Sequence, residues 1–170
     1  MAAPDAAALA FVDEYARAHG IERPALHSAF GFGDTPALMD ELLALVLAGT
    51  KRATAGLLRN FEQGPEPIPR RGDLSVVLDG VGRPRCLIRT TEIRIGPLSS
   101  VDEAFAWDEG EGDRTRADWL ATHRHYFARQ AAREGFALDD DIATVFERFT
   151  VVWPAASADK PGGKPSLPLR

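Results

Sequence analysis

Cysteine is the residue that this sequence most lacks, with Cys86 alone among 170 residues. A single cysteine excludes an internal disulfide framework and a Cys-rich zinc site, and it is typical of a protein in a reducing compartment. Because Cys86 lies in a short apolar run, it is predicted to be a small core residue and not a catalytic thiolate. We therefore expect a cytoplasmic protein.

Long apolar runs are also missing. The stretch from Leu42 to Ala48 is far shorter than the roughly 20 residues that span a bilayer. The Ala-rich start, residues 1–10, has no basic residue before it and contains Asp5, which argues against a signal peptide. No contact with a membrane is therefore expected. A length of 170 residues with 45% hydrophobic composition is enough for one sizeable core, which predicts a single domain.

Positive charge is scarce overall but is concentrated in the middle of the chain. The net charge of −5 argues against indiscriminate binding of nucleic acid, because phosphate binding needs a positive field. Between Lys51 and Arg94, nine basic and five acidic residues give +4, which leaves −9 for the rest. The middle third is thus the natural place for a nucleotide-like ligand, although solvated strand edges would have the same composition. The acidic total favours a small nucleoside or single-stranded RNA over a duplex, and duplex DNA is not expected.

Hydrophobic periodicity predicts an α+β protein. Helical patterns begin at Asp5, Thr35, Ser100 and Thr115, each of which is a residue type that caps helices. Strand patterns cover residues 51–57, 74–78, 84–95 and 144–153, while residues 30–34 and 62–71 read as loops. The sum predicts a mostly antiparallel sheet, curled into a small β-barrel and flanked by helices.

Gly49, Lys51 and Thr54 stand at the junction between the second helix and the first strand. A lysine just past a glycine can approach a ligand closely, and when it is partly buried it can act as a base or orient a hydroxyl. Thr54 supplies such a hydroxyl. In a flat strand the two side chains would point to opposite faces, so a shared site requires a turn or bulge between them.

The spacing of the histidines does not indicate a metal site. His123 and His125 are two residues apart on a predicted helix, where they point about 200° from each other and cannot share a metal. Since His123 lies beside Trp119 and Tyr126, packing or a capping hydrogen bond is the favoured role for it.

The Gly-x-Lys-x-x-Ser/Thr motif at this junction resembles the mark of the ASCH family, and in particular of its larger bacterial members. The resemblance extends over residues 28–153, including the segments 30–34, 54–57, 72–75, 88–92, 109–113 and 147–149. It implies the fold of the PUA domain, a small β-barrel with helices beside a cleft. It further implies one ASCH domain over 1–153, with 1–27 as a helical extension and 154–170 as a flexible tail.

The resemblance implies two alternative chemistries. Small family members are amidohydrolases that deacetylate N4-acetylcytidine with a Lys, a Thr and a Glu, and larger members have been described as metal-dependent ribonucleases. Lys51 and Thr54 match the first two positions, and the acid is expected in the run 108–113, as Glu111 first and Glu109 second. In the amidohydrolase, Lys51 would help to deprotonate Thr54, and Glu111 would protonate the leaving amine. No cofactor is needed, and a divalent cation enters only with the ribonuclease.

Seven further residues are candidates for substrate contacts. They could supply an oxyanion-binding backbone N–H, a guanidinium for phosphate or an aromatic face for a base, although the aromatics suit the core equally and Arg89 could pair with Glu92 or Glu147. They are Phe30, Gly49, Arg52, Arg89, Arg114, Thr115 and Trp119. A non-catalytic RNA-binding module and a sensor of a small metabolite remain the alternatives to an enzyme.

Overall fold

The computed structural model describes residues 5–161. Its helices and strands follow in the order α1 (Ala6–His19), β1 (Ser28–Phe30), α2 (Pro36–Leu47), β2 (Ala53–Leu57), α3 (Leu58–Gln63), β3 (Leu74–Leu78), β4 (Pro84–Pro97), α4 (Glu103–Glu109), α5 (Arg116–Glu134) and β5 (Ala143–Trp153). A 3₁₀ turn over Leu98–Ser100 leads into α4. No helix within this part of the chain is long and apolar enough to cross a bilayer.

The five strands form one sheet in the order β1-β3-β4-β5-β2, which curls into a half-barrel. β1 runs parallel to β3, and the other three pairs are antiparallel. The register between β4 and β5 shifts twice, and such irregularities increase the local bend of a sheet. The predicted fold, α+β with a mostly antiparallel curled sheet and flanking helices, is confirmed.

Three apolar clusters attach the helices to the sheet. α1 packs on β3 and β4 through Val12 and Tyr15, and α2 packs against a second cluster that contains Cys86. The largest cluster joins α4 and α5 to β2 and β5, and its most voluminous members are Phe105, Trp119, Phe127 and Phe146. Burial raises the pKa of the Cys86 thiol to about 12, as expected for a core residue.

Helix caps explain where most helices begin. The side chains of Asp5, Thr35 and Thr115 each accept a hydrogen bond from a backbone N–H in the first turn, as their positions in the sequence predict. The predicted start at Ser100 is wrong. α4 begins at Glu103, because the Asp102 carboxylate accepts a hydrogen bond from the Phe105 N–H at 2.8 Å.

Two short elements differ from the sequence prediction. Phe30 was assigned to a loop, but it is the last residue of strand β1. A strand this short is not stable by itself, and β1 is held by its pairing with β3. α3 was not predicted. In addition, β2 begins at Ala53 and not at Lys51, a difference that positions the site described below.

The segment after β5 returns to the sheet. The Asp159 carboxylate accepts a hydrogen bond from the Val151 N–H at 2.9 Å and binds the Arg52 guanidinium through both of its oxygens at 2.8 Å. Residues 154–161 are therefore tied to the strand that precedes them. The rest of the predicted tail, 162–170, lies outside the described residues.

Candidate active site

A cavity of about 520 Å³ lies between α2, α5 and the start of β2, and we call it the Lys51 cavity. Its volume is within the range of small-molecule binding sites. Phe32, Leu38 and Leu42 form an apolar wall. The remaining lining residues are polar, charged or from α5: Lys51, Thr54, Glu109, Glu111, Thr122, His123, His125, Tyr126 and Arg129, with Gly33, Ala55 and Ala121 between them.

The end of α2 brings Lys51 and Thr54 to the same cavity. Gly49 has a positive φ of 87°, and the Thr50 and Lys51 N–H groups both donate to the Leu45 carbonyl, at 3.0 and 3.1 Å. The chain then leaves the helix, and the Arg52 N–H donates to the Asp108 carbonyl at 2.6 Å before β2 begins. Because Lys51 precedes the strand, the alternation of faces along β2 does not separate it from Thr54.

The Lys51 ammonium is buried, with 1% of the residue exposed. Its Nζ donates to the Ala53 carbonyl at 2.8 Å, to Glu111 Oε1 at 3.0 Å and to the Glu109 carbonyl at 3.4 Å. Glu109 Oε1 lies 3.6 Å from Nζ, and the Phe32 ring faces it at 5.3 Å. These three donations use all three hydrogens of an ammonium group. Lys51 is therefore held in one position by the end of α4 and the loop that follows.

Gly110 allows this loop to approach the motif. It has a positive φ of 74°, and a Cβ at this position would lie 2.4 Å from the Thr50 carbonyl oxygen. Every other residue type would meet both the strain of the left-handed conformation and a backbone contact. Arg114 adds a second tie, since its guanidinium stacks on the Trp107 ring at 3.7 Å and donates to the carbonyls of Trp107 at 2.7 Å and Thr50 at 3.4 Å. The acidic loop is thereby folded back over Lys51.

Glu109 connects Lys51 to His123. Its Oε1 lies 3.1 Å from His123 Nε2, and His123 Nδ1 lies 2.8 Å from the Trp119 carbonyl oxygen. A carbonyl can only accept, so Nδ1 carries a hydrogen, and Nε2 facing a carboxylate carries the second. Burial would raise the pKa of Glu109, but the charges of His123 and Lys51 lower it below its usual range. Burial would lower the pKa of His123, but the charge and hydrogen bond of Glu109 raise it.

Lys51, Glu109, Glu111 and His123 therefore form a cluster in which two carboxylates are neutralised by two cations. Glu109, Glu111 and His123 each present a possible metal ligand, and these atoms lie within 4.8 Å of one another. However, the Lys51 ammonium lies within 3.6 Å of one oxygen of each carboxylate, where a metal ion would have to be. These residues thus do not fit a divalent cation as they are arranged.

The structure brings together the residues predicted to be catalytic, Lys51 and Thr54 of the motif and both candidate acids, Glu111 and Glu109, since all four line the cavity. Glu111 is the more accessible acid, with 21% of its side chain exposed against 2% for Glu109. Glu111 can therefore meet a ligand, and Glu109 serves as the buried counterion between Lys51 and His123.

The seven residues predicted for substrate contacts do not line the Lys51 cavity. Arg52 donates to the carbonyls of Val46 and Lys51 and binds Asp159, so its guanidinium is already satisfied. Arg114 is bound to Trp107 as described, and Arg89 donates to the Tyr15 hydroxyl at 3.2 Å.

The other four predicted contacts also have structural roles. Gly49 turns the chain at the end of α2, and Thr115 caps α5. The Trp119 ring stacks on the His123 imidazole with centroids 3.7 Å apart, which holds the imidazole in place. Phe30 packs edge-on against Phe32 at 5.0 Å and faces a different cavity.

His123 is the functional candidate that the sequence did not single out as one. It was assigned to packing or capping, and it does bond the Trp119 carbonyl, but it also binds Glu109. Tyr126 and Arg129 on the same helix complete the wall and were not predicted as site residues. The sequence did contain a signal for His123, because it lies four residues after Trp119 and residues four apart lie on one face of a helix.

Comparisons with known proteins identify the family and the fold of the chain. The sequence model of the ASCH domain matches residues 28–153. The chain is similar to the crystal structure of an ASCH domain from Lactobacillus crispatus JV V101, with 30% identity, a TM-score of 0.79, and 89% of this chain and 97% of that one covered. It is also similar to protein EF3133 from Enterococcus faecalis V583, with 29% identity, a TM-score of 0.75 and coverage of 84% and 86%. A search of curated proteins gives no match. From the match over most of its length, this chain belongs to the ASCH domain family.

Proposed function

We propose that the Lys51 cavity binds a modified nucleoside and hydrolyses an amide on its base, as in the deacetylation of N4-acetylcytidine. The observation that carries this proposal is the buried Lys51 ammonium, bonded at 3.0 Å to Glu111, which is the accessible carboxylate of a cavity that Thr54 also lines. A nucleophile, a proton carrier and an acid in one cavity are the groups that acyl transfer requires.

The hydrogen bond between Lys51 and Glu111 is the first part of the proposed proton path. Nζ passes a proton to Glu111 along it, and the neutral amine turns its lone pair from Glu111 to the Thr54 hydroxyl and takes the hydroxyl proton. The Thr54 oxygen forms a bond to the acyl carbon, and the C–N bond breaks as protonated Glu111 gives its proton to the leaving amine. Water then hydrolyses the acyl-threonine. The Lys51 ammonium and the Glu111 carboxylate are restored when the amine of the nucleoside leaves, so protons balance over the cycle.

The walls of the cavity suit a planar base. Phe32, Leu38 and Leu42 provide apolar contact, and Tyr126 lies across from them on α5. Bases of nucleosides and of single-stranded RNA bind to such faces by stacking and apolar contact. Lys51 and His123 are neutralised by Glu109 and Glu111, and Arg129 is paired with Asp34, so the cavity itself offers little attraction to phosphate. A nucleoside, or a base at an accessible position in single-stranded RNA, is therefore the proposed ligand in the cytoplasm.

The direct test is turnover of N4-acetylcytidine by the purified protein, measured as release of cytidine. Thr54→Val and Glu111→Gln should each lower kcat by roughly 10²- to 10⁴-fold, the usual contribution of a nucleophile or a positioned proton donor. Thr91→Val and Glu22→Gln are matched controls at exposed positions outside the cavity and should leave kcat unchanged.

Retention of activity by Thr54→Val would remove Thr54 from the mechanism. If the wild-type protein binds cytidine or single-stranded RNA but releases no product, the binding module is the better account. That alternative further requires an RNA affinity that falls as salt is raised, because phosphate contacts release counterions.

A further inference from the structure

A second cavity lies on the other side of Thr54, and we call it the Glu147 cavity. It has a volume of about 250 Å³ and occupies the gap of the half-barrel, between the edge strands β1 and β2. Thr54 and Ala55 line both cavities. Its volume is below the roughly 300–1,000 Å³ of sites for drug-sized ligands, so it suits a single small ring system.

Glu147 is the charged group of β5 in this cavity. It lies opposite Thr54 in the pairing of β2 with β5, and the Thr90 hydroxyl donates to its Oε1 at 2.6 Å. Across the part of the chain that the structure describes, no lysine or arginine forms an ion pair with it; the neighbouring Arg148 binds Asp108 and Glu92 instead. Burial raises the pKa of Glu147, and the Thr90 hydrogen bond and the neighbouring His27 offset this only in part.

The other polar groups of the cavity do not satisfy this carboxyl group. His27 is bound through Nδ1 to Asp73 at 3.3 Å, and the Ser28 hydroxyl donates to Ser75 Oγ at 3.2 Å. Glu66 at the rim carries the same sign of charge. The carboxyl group of Glu147 therefore meets the cavity with no lysine or arginine of the described residues opposite it, and the nearby His27 is bound to Asp73 through its Nδ1.

Two phenylalanines give the cavity flat apolar faces. Phe30 contributes from β1 and Phe61 from α3, and Pro69 and Val145 extend the apolar lining. Aromatic faces favour a planar ring, and a carboxylate accepts two parallel N–H bonds from a group that presents them side by side. The cavity thus combines the shape of a planar ligand with an acceptor for paired donors.

We propose that the Glu147 cavity is a second ligand site, which binds a planar group with two adjacent N–H donors through the carboxylate of Glu147. The N1–H and 2-amino edge of guanine has this pattern, and so does an amidinium. The site is independent of the hydrolysis proposed above, because its ligand is bound by Glu147 and not by Lys51, Glu109 or Glu111. Its position beside Thr54 would let it hold a group next to a ligand of the first cavity.

The test is titration of the purified protein with guanosine, inosine and benzamidine, followed by calorimetry. Guanosine should bind, and inosine, which lacks the 2-amino group, should bind roughly tenfold more weakly. Benzamidine distinguishes an amidinium ligand from a guanine. If benzamidine binds and guanosine does not, the site is assigned to amidinium ligands. Failure of both guanosine and benzamidine to bind would overturn the proposal.

Glu147→Gln identifies the residue responsible, because it keeps the size of the side chain and its acceptor for Thr90 but presents an amide. It should lower the affinity for the ligand by roughly 10- to 100-fold, whereas Glu22→Gln at an exposed position should leave the affinity unchanged. Equal affinity of wild type and Glu147→Gln would exclude the site. A thermal melt of the variant checks that it is folded. Guanosine binding without turnover of N4-acetylcytidine would sink only the proposed hydrolysis, and turnover without guanosine or benzamidine binding would sink only this site.

Discussion

The two cavities on either side of Thr54 place an acid in opposite surroundings, since Glu109 is fully buried among cations and Glu147 is partly buried beside a hydroxyl group. In the Lys51 cavity, Glu109 is surrounded by Lys51 and His123, which lower its pKa despite full burial. In the Glu147 cavity, the acid has one hydroxyl donor and no lysine or arginine partner within residues 5–161, and burial raises its pKa. The comparison teaches that burial alone does not define a site. An acid paired with cations of the chain, such as Glu109, is held as a counterion, while an acid without a lysine or arginine partner leaves its oxygens for a ligand that brings its own donors.

The largest expected effect is that of removing the cation from the Lys51 cavity. Lys51→Met leaves Glu109 and Glu111 facing each other without the ammonium, and breaking a buried pair in this way costs about 3–5 kcal/mol. Urea denaturation measures this loss in the free energy of unfolding. Lys160→Met, at an exposed lysine, should change it by less than about 0.5 kcal/mol. Similar stabilities of the two variants would show that the cluster is not held by charge.

The next effect concerns the loop that closes the Lys51 cavity. Gly110→Ala combines a left-handed conformation with a Cβ that would lie 2.4 Å from the Thr50 carbonyl oxygen, and should cost about 2–4 kcal/mol. Gly135→Ala is the matched control, because Gly135 has nearly the same φ, 73° against 74°, but open space around its Cβ position. Gly135→Ala should lower the free energy of unfolding by only the roughly 1–2 kcal/mol that the left-handed conformation costs. Equal losses in thermal or urea unfolding would mean that the close approach to Thr50 is unimportant.

The charge of His123 should appear in the pH dependence of stability. Because its folded pKa lies above its ordinary 6.5, its stabilisation is complete below pH 6.5 and is lost as pH rises through the folded value. His123→Gln should therefore cost about 1.5–3 kcal/mol at pH 6, the range for a hydrogen bond to a charged group, and less at pH 9. His125→Gln, on the exposed side of α5, should follow the wild-type curve. A constant difference between wild type and His123→Gln from pH 6 to 9 would contradict the ion pair.

The smallest effect has the opposite sign and belongs to the Glu147 cavity. Because the folded pKa of Glu147 is raised, the unfolded chain ionises first, and the wild type loses stability as pH rises from 4.5 through the folded value. Glu147→Gln removes this penalty, so it should gain ~0.5–1 kcal/mol at pH 7 and almost nothing at pH 4. Urea denaturation at both pH values measures the difference. A loss of stability at pH 7 would show that the acid is already paired within the protein.

Local signals in the sequence were sufficient for most of the fold. Asp5, Thr35 and Thr115 cap helices because their side chains satisfy the free N–H groups of the first turn, whatever the rest of the molecule does. β1 and α3 were missed because they are short and depend on distant partners. The start of α4 was misplaced because Ser100 and Asp102 are both suitable caps, and only the contact with Phe105 distinguishes them.

For the site, the sequence by itself determined the chemical groups. The motif singled out Lys51 and Thr54, and the glycine-flanked acidic run contained both Glu109 and Glu111. Tertiary structure decided which groups meet. The fold of the loop over Thr50 brings Glu111 to Lys51 from 60 residues away, and the packing of α5 brings His123 to Glu109. Tertiary structure alone also placed Glu147 in the gap between two edge strands. Charges that neutralise one another across such distances along the chain leave no local pattern, because their pairing depends on how helices and sheet pack.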